Sequence, residues 1–170
     1  MEQTLIVLKP DTVKRGLVGE ILQRFEKVGL KMVAIKMIEP DYEHYHEHYE
    51  NIGKMISRRG QKAFDVTLEF MQAGPVIAVV LEGANAVGLV RKLVGTTSPE
   101  EASPGTIRGD YAHMGFSHSD SKEMGIPNMI HASGDVDEAK AEISHWFSGA
   151  EIHSYMTVHD VFTTGEDDKK

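Results

Sequence analysis

The 170-residue sequence predicts an α+β fold, and three observations carry that prediction. Short runs of β-branched and apolar residues at Thr4 to Leu8, Lys31 to Glu39, Val76 to Leu81 and Met129 to His131 read as strands. The segments between them repeat their apolar residues at helical spacing. One long stretch, Thr96 to Pro127, is rich in Ser, Gly, Pro and His and has no period at all.

The first strand stops at Lys9-Pro10, because proline offers no ladder N–H and biases its predecessor toward extended geometry. From Gly19, the residues Ile21, Leu22, Phe25 and Val28 make one apolar helical face, with Glu20 early, Lys27 late and Gly29 placed as a C′ cap. The second strand carries Met32, Val33, Ile35, Met37 and Ile38, and Pro40 closes it. Asp41 can cap a helix bearing Tyr42, Tyr45 and Tyr49. Beyond a polar stretch with Gly53 and Gly60, Phe64, Leu68 and Met71 return to helical spacing until Gly74-Pro75. Six apolar residues in a row, Val76 to Leu81, suit a central strand covered on both faces. The next helix has Asn85 as its cap, Val87, Val90, Leu93 and Val94 inward, and Gly95 behind it. After the long loop and the short fourth strand, Asp135 with Glu138 makes a capping-box start to a helix carrying Ala139, Ile143, Trp146 and Phe147. This order gives two βαβ units around one sheet: a ferredoxin-like βαββαβ core with a four-stranded antiparallel sheet, helices on one face and a long loop with a function to serve. The domain is expected over residues 1–162, with 163–170 a frayed polar tail.

Composition narrows the function. Eighteen Lys and Arg stand against 26 Asp and Glu, a net charge of −8 with the basic residues scattered, so no nucleic-acid partner is expected. The chain has no cysteine, which removes disulfides, thiolate zinc sites and cysteine nucleophiles together. The amino end lacks a basic leader, and the longest apolar run falls far short of the roughly 20 residues that span a membrane. A cytoplasmic protein without membrane contact is the expectation.

Neither Gly-x-x-x-x-Gly-Lys-Ser/Thr nor a post-strand Gly-x-Gly-x-x-Gly occurs, so a phosphate site here must rest on side chains. Arg108 lies between Gly105 and Gly109, in a loop able to turn around an anion, and Arg91 could join it; guanidinium forks suit phosphate, although a surface arginine is more often a solvated charge. Set in a glycine-flanked loop, Arg108 is expected to act on bound charge and not on fold stability. His131 has two readings: a core histidine bonded to backbone, or a neutral imidazole competent as nucleophile or base, with Glu142 on the following helix to orient it. Nine histidines raise a metal reading. His44 and His48 are one helical turn apart but do not fit His-Glu-x-x-His, and His113 and His118 lie in the loop; both pairs read as solvated faces, with no resident metal site expected. The tyrosines at 42, 45 and 49 read as helix packing, Tyr49 being the exception to test.

Lys9-Pro10-Asp11, Arg15-Gly16-Leu17-Val18-Gly19-Glu20-Ile21, Gly74-Pro75-Val76, Pro104-Gly105-Thr106-Ile107-Arg108-Gly109-Asp110 and Asn128-x-x-His131-Ala132-Ser133 together resemble nucleoside diphosphate kinases, in order over nearly the whole chain. The resemblance implies Mg²⁺-dependent transfer of a γ-phosphoryl group from a nucleoside triphosphate to a nucleoside diphosphate, with His131 as the phosphorylated intermediate, broad base specificity and a homo-oligomeric assembly. By matching position it implies that Lys9 and Asn128 hold the sugar hydroxyls, that Arg91, Thr97 and Arg108 hold the phosphates, and that Tyr49 lies beside the histidine. It further implies that Glu142 orients His131, that Phe64 stacks on the base and that Mg²⁺ rides on the nucleotide's own phosphates. The chain departs from the family pattern in a longer stretch between Tyr49 and Met71, an enlarged loop from Ala112 to Pro127, Ala132 in place of a common Gly, and Gly134 where an Asp usually follows the Ser. A noncatalytic nucleotide-binding domain would have no need for His131 and Glu142 together, and a histidine-rich metal module leaves the Pro104 to Asp110 run unexplained.

Overall fold

A computed structural model describes residues 1–165. Four strands, β1 (Glu2–Leu8), β2 (Lys31–Ile38), β3 (Val76–Gly83) and β4 (Ile130–Ala132), form one sheet in the order β2-β3-β1-β4, every neighbouring pair antiparallel. The central ladder runs from Glu2 opposite Gly83 to Leu8 opposite Ile77, and β4 joins its outer side with His131 opposite Val7. The main helices are α1 (Pro10–Lys14), α2 (Val18–Lys27), α3 (Tyr42–His46), α4 (Met55–Arg59), α5 (Gln61–Met71) and α6 (Ala86–Val94), followed by α7 (Ile107–Tyr111), α8 (Phe116–Ser121), α9 (Val136–Trp146) and α10 (Asp160–Thr163).

Because side chains alternate along a strand, β1 and β3 feed two cores at once. Leu5, Val7, Val76, Ala78 and Val80 meet Tyr45 of α3, Phe64, Leu68 and Met71 of α5, and Ile143 and Trp146 of α9. Ile6, Leu8, Ile77, Val79 and Leu81 meet Ile21 and Phe25 of α2 and Ala86, Val90 and Val94 of α6. Helices on a single face, as the element order suggested, are therefore corrected to helices on both. A strand apolar at every position cannot leave one side in water, and the run Val76 to Leu81 already carried that information.

The caps follow chemistry in two of three cases. Asp41 accepts the His44 N–H at 2.9 Å, and Asp135 accepts the N–H groups of Asp137 and Glu138 at 3.0 and 2.8 Å. Glu138 reaches back one residue further than a capping box, accepting from Gly134 N at 3.2 Å. Asn85 makes no side-chain cap and instead takes a left-handed backbone, φ 53°, which asparagine tolerates better than most residues. The long loop holds a 3₁₀ turn, Pro99–Glu101, and the short α7 and α8, each too brief to show a period. Val28 is solvent-facing, and α10 includes Thr163, the first residue of the expected tail; residues 166–170 of that tail lie outside the described residues. No helix among the described residues is long and apolar enough to cross a membrane.

Candidate active site

The site is organised by the turn that enters β4. Met129 has a left-handed backbone, φ 72°, a conformation that costs a side-chain-bearing residue about 1–3 kcal/mol unless its surroundings impose it. Here they do. Its N–H donates to Asp11 Oδ2 at 3.0 Å, and its carbonyl accepts from the Lys9 N–H at 2.9 Å and from Thr12 Oγ1 at 2.5 Å. Arg108, on α7, holds the same segment from the other side. Its Nε donates to Asn128 O at 3.1 Å, Nη2 to Ile130 O at 2.6 Å, and Nη1 to Gly95 O and Thr96 O at 3.0 Å each. Four of its five N–H donors are thus spent on backbone carbonyls, the residue is 7% exposed, and burial pulls its pKa down to about 10, helped by neighbouring Arg91. The expectation that Arg108 is free of structural duty is corrected: it lines the cleft and also ties the segment after α6 to the turn that enters β4. Gly109 makes this closure possible, since a Cβ there would stand 2.1 Å from the Ser103 carbonyl oxygen.

The constrained turn delivers His131 to the rim of a cleft of about 1010 Å³. Its Nε2 lies 2.7 Å from Glu142 Oε1, and the other oxygen of that fully buried carboxylate accepts from Ser133 Oγ at 2.6 Å. An ionised carboxylate only accepts, so it assigns the proton to Nε2 and leaves the lone pair on Nδ1. Behind the imidazole stands His48, which sequence reading placed on a solvated face and which is buried. A π-helical turn, Glu47–Ile52, closes with Gly53 N donating to His48 O and turns adjacent His48 and Tyr49 into the same interior. His48 Nδ1 accepts the Trp146 Nε1–H at 3.1 Å, and its ring meets His131 edge to face with centroids 4.5 Å apart. Burial first, and the nearby His131 second, hold its pKa well below the usual imidazole range, so it is a neutral brace. His44 is half-buried and stacked on His145 at 4.0 Å, its pKa pulled down to about 4 by burial. His113 and His118 are exposed as expected. Tyr49 is buried with its ring 6.3 Å from His131, and burial pushes its phenol up.

Lys9 and Asn128 meet directly: Lys9 Nζ donates to Asn128 Oδ1 at 2.8 Å, and Asn128 Nδ2 donates to Thr97 O at 2.9 Å. Burial pulls the Lys9 ammonium down to about 8. Arg91 and Thr97 are exposed on the cleft wall, Arg91 bonded weakly to Ser133 O at 3.4 Å. Phe64 is the exception among the expected site residues. It is 1% exposed in the core against His46, while its neighbour Ala63 lines the cleft. Consecutive helix residues point about 100° apart, so a one-residue frame decides which of them meets a ligand. Sequence reading also missed His48, Asp11, Thr12 and Ser133; Asp11 and Ser133 lay inside quoted motifs, which was their only signal.

A buried carboxylate orienting an imidazole, with Lys9, Arg91 and Arg108 around the same cleft on a ferredoxin-like sheet, defines a class: proteins that handle phosphate-bearing ligands. Residues 2–152 match the family model of nucleoside diphosphate kinase. The chain is 44% identical over 162 residues to the nucleoside diphosphate kinase of Pyrococcus furiosus, covering 95% of this chain and 92% of that one, and 41% identical over 155 residues to that of Borreliella burgdorferi, covering 91% and 92%. Among solved structures, a nucleoside diphosphate kinase from Borrelia burgdorferi, a transition-state mimic with bound vanadate and ADP, superposes with a TM-score of 0.93 at 39% identity, covering 96% of each chain. One from Halobacterium salinarum in complex with CDP gives 0.80 at 38% identity, covering 95% and 97%. The chain belongs to the nucleoside diphosphate kinase family and is an enzyme of that activity, moving phosphate between nucleoside tri- and diphosphates.

Proposed function

We propose that this transfer runs in two halves through His131. The Nδ1 lone pair attacks the γ-phosphorus of a bound triphosphate, the bond to the bridging oxygen breaks, and that electron pair leaves with the diphosphate. In the second half an oxygen of another nucleoside diphosphate attacks the phosphohistidine and the P–N bond breaks. The observation that carries this reading is the 2.7 Å contact of Nε2 with Glu142, which commits one ring nitrogen to orientation and leaves the other for chemistry. Lys9 and Asn128 are suited to the sugar hydroxyls, and Arg91, Thr97 and the remaining Arg108 donor to the phosphates, where positioning and charge stabilisation do most of the catalytic work. Tyr49 walls the histidine.

The nucleotide enters as its magnesium complex. Among the described residues, the group of metal-ligating side chains closest together is His48, His131 and Glu142, with ligand atoms within 4.8 Å of one another. Two imidazoles already engaged with protein partners do not suit a hard cation that asks for oxygen, which favours Mg²⁺ held by the substrate's own phosphates. The nucleotide substrates also support a cytoplasmic setting, and Ile35 and Met37, exposed on β2 at the sheet's edge, support a homo-oligomer, which light scattering checks. Incubation with labelled ATP should give an acid-labile, base-stable protein label that any nucleoside diphosphate removes. His131→Ala should take up none; exchange at the parent rate in that variant defeats the reading.

A further inference from the structure

The outer end of the cleft, beyond Lys9 and Asn128, is built differently from its phosphate end. One side is α5, which contributes Lys62, Ala63, Val66 and Thr67, none of which offers a ring, while the ring of its Phe70 stands behind them, 5.9 Å from Lys9 Nζ and outside the cleft lining. The other side is α8 and the turn after it, both part of the enlarged loop. Phe116, the first residue of α8, lines the cleft, and Arg59, the last residue of α4, lays its guanidinium 4.5 Å from the centre of that ring. The loop is fastened to α5 at two points. Lys62 Nζ pairs with Glu123 Oε1 at 2.7 Å, and Gly125 lies so close to α5 that a Cβ would stand 2.6 Å from Phe70 Cβ and 2.7 Å from the Val66 carbonyl oxygen. Only a residue without a side chain permits that approach, so the seating of the loop, and with it the place of Phe116, is set by backbone contact. Ser119, one turn along α8, lines the same end and keeps a buried hydroxyl without a hydrogen-bond partner.

We propose that Phe116, with the Arg59 guanidinium against its ring, is the platform on which the base of the bound nucleotide stacks, taking the place of an aromatic residue on α5, and that Ser119 offers its hydroxyl to the base edge. This rests on the reading of the cleft as the nucleotide site. A ring covered on one side by a guanidinium is a flat, polarisable surface, and stacking on such a surface tolerates every base because every base has a π-face. The hydroxyl both donates and accepts, so it serves a carbonyl or an amino group on the base equally. The enlarged loop therefore supplies affinity for the base without choosing among bases.

The test compares acceptors that differ only in the base. Phosphoenzyme is prepared from the full-length protein, and its discharge is followed with ADP, CDP and ribose 5-diphosphate, which carries the sugar and phosphates alone. Phe116→Ala should lower kcat/KM for ADP and CDP roughly 5- to 100-fold, through KM, with ribose 5-diphosphate reacting as in the parent. Phe116→Trp should restore both nucleotides, and Phe116→Leu, which keeps bulk without a π-face, should fall between. Equal losses with ADP and ribose 5-diphosphate, or no loss with ADP, overturn the platform while leaving the histidine chemistry standing. Failure of the parent to form any phosphoenzyme overturns the nucleotide reading and the platform with it.

Discussion

The two faces of the sheet are made from alternate residues of the same strands, yet they do different work. Toward α2 and α6, Ile6, Leu8, Ile77, Val79 and Leu81 pack with Ile21, Phe25 and Val90 in a purely apolar layer. Toward α9 and the π-helical turn, Val7 stands opposite His131, and the wall beyond it holds a buried carboxylate bonded to His131 and a buried imidazole, that of His48, bonded to an indole N–H. A buried carboxylate is expensive unless fully partnered, and Glu142 has His131 on one oxygen and Ser133 on the other. One face shows what holding the fold requires; the other shows what holding a nucleophile requires on top of it.

The largest expected effect lies on the silent face. Phe25→Ala should cost about 3–5 kcal/mol of stability in urea titrations, while phosphoenzyme formation per folded molecule stays at the parent level. A comparable loss of phosphorylation in the folded fraction would show that the two faces are coupled. Next is Arg108→Ala, which takes a donor from the carbonyls of residues 95, 96, 128 and 130. It should lower stability by about 2–4 kcal/mol as well as turnover, whereas Arg91→Ala, exposed and weakly bonded, should lower turnover with a stability change within about 0.5 kcal/mol. Identical melting behaviour of the two variants would return Arg108 to a purely ligand-binding role.

Glu142→Gln should slow single-turnover phosphorylation of His131 roughly 10- to 100-fold, by analogy with loss of the partners that orient metal-bound histidines. Unchanged single-turnover rates would mean that the ring has another orienter. The smallest effect is a pH dependence. His44 and His48 are held below the ordinary imidazole range, His44 at about 4, so between roughly pH 6.5 and 4 the unfolded chain binds protons that the folded chain does not. Their contribution to stability is fully present above about pH 6.5 and is lost as the pH falls through that window. His48→Gln should flatten the decline in Tm, and Phe25→Ala should leave its slope as it was.

Much of this was legible in the residues, in proportion to how local the cause is. The strands, the caps at Asp41 and Asp135 and the pairing of His131 with Glu142 depend on a few neighbouring side chains, and the pattern displays them. The sidedness of the helices was present in the apolar run of β3 but conflicted with the expectation drawn from element order, and packing decided for the run. The work of Arg108 was invisible because its partners are backbone oxygens, which every residue carries and no sequence marks. His48 was misread because two histidines one turn apart suggest a solvated face, whereas its partner, the Trp146 indole N–H, is distant in sequence and unmarked by any local pattern; Phe64 was misread because Ala63, one position away, holds the cleft side of α5.

The π-helical turn is, in effect, a helix with one residue more than its register needs. Add or remove a residue between 47 and 52 and everything before it rotates by about 100° relative to everything after, carrying His48 out from under the indole of Trp146. Past Gly53, where the turn closes, Met55 and Ile56 rest against the core before α5 seats Phe64, Leu68 and Met71 within it. The spacing of residues 47 to 52 is therefore set by what must stand behind His131, and not by the helix alone.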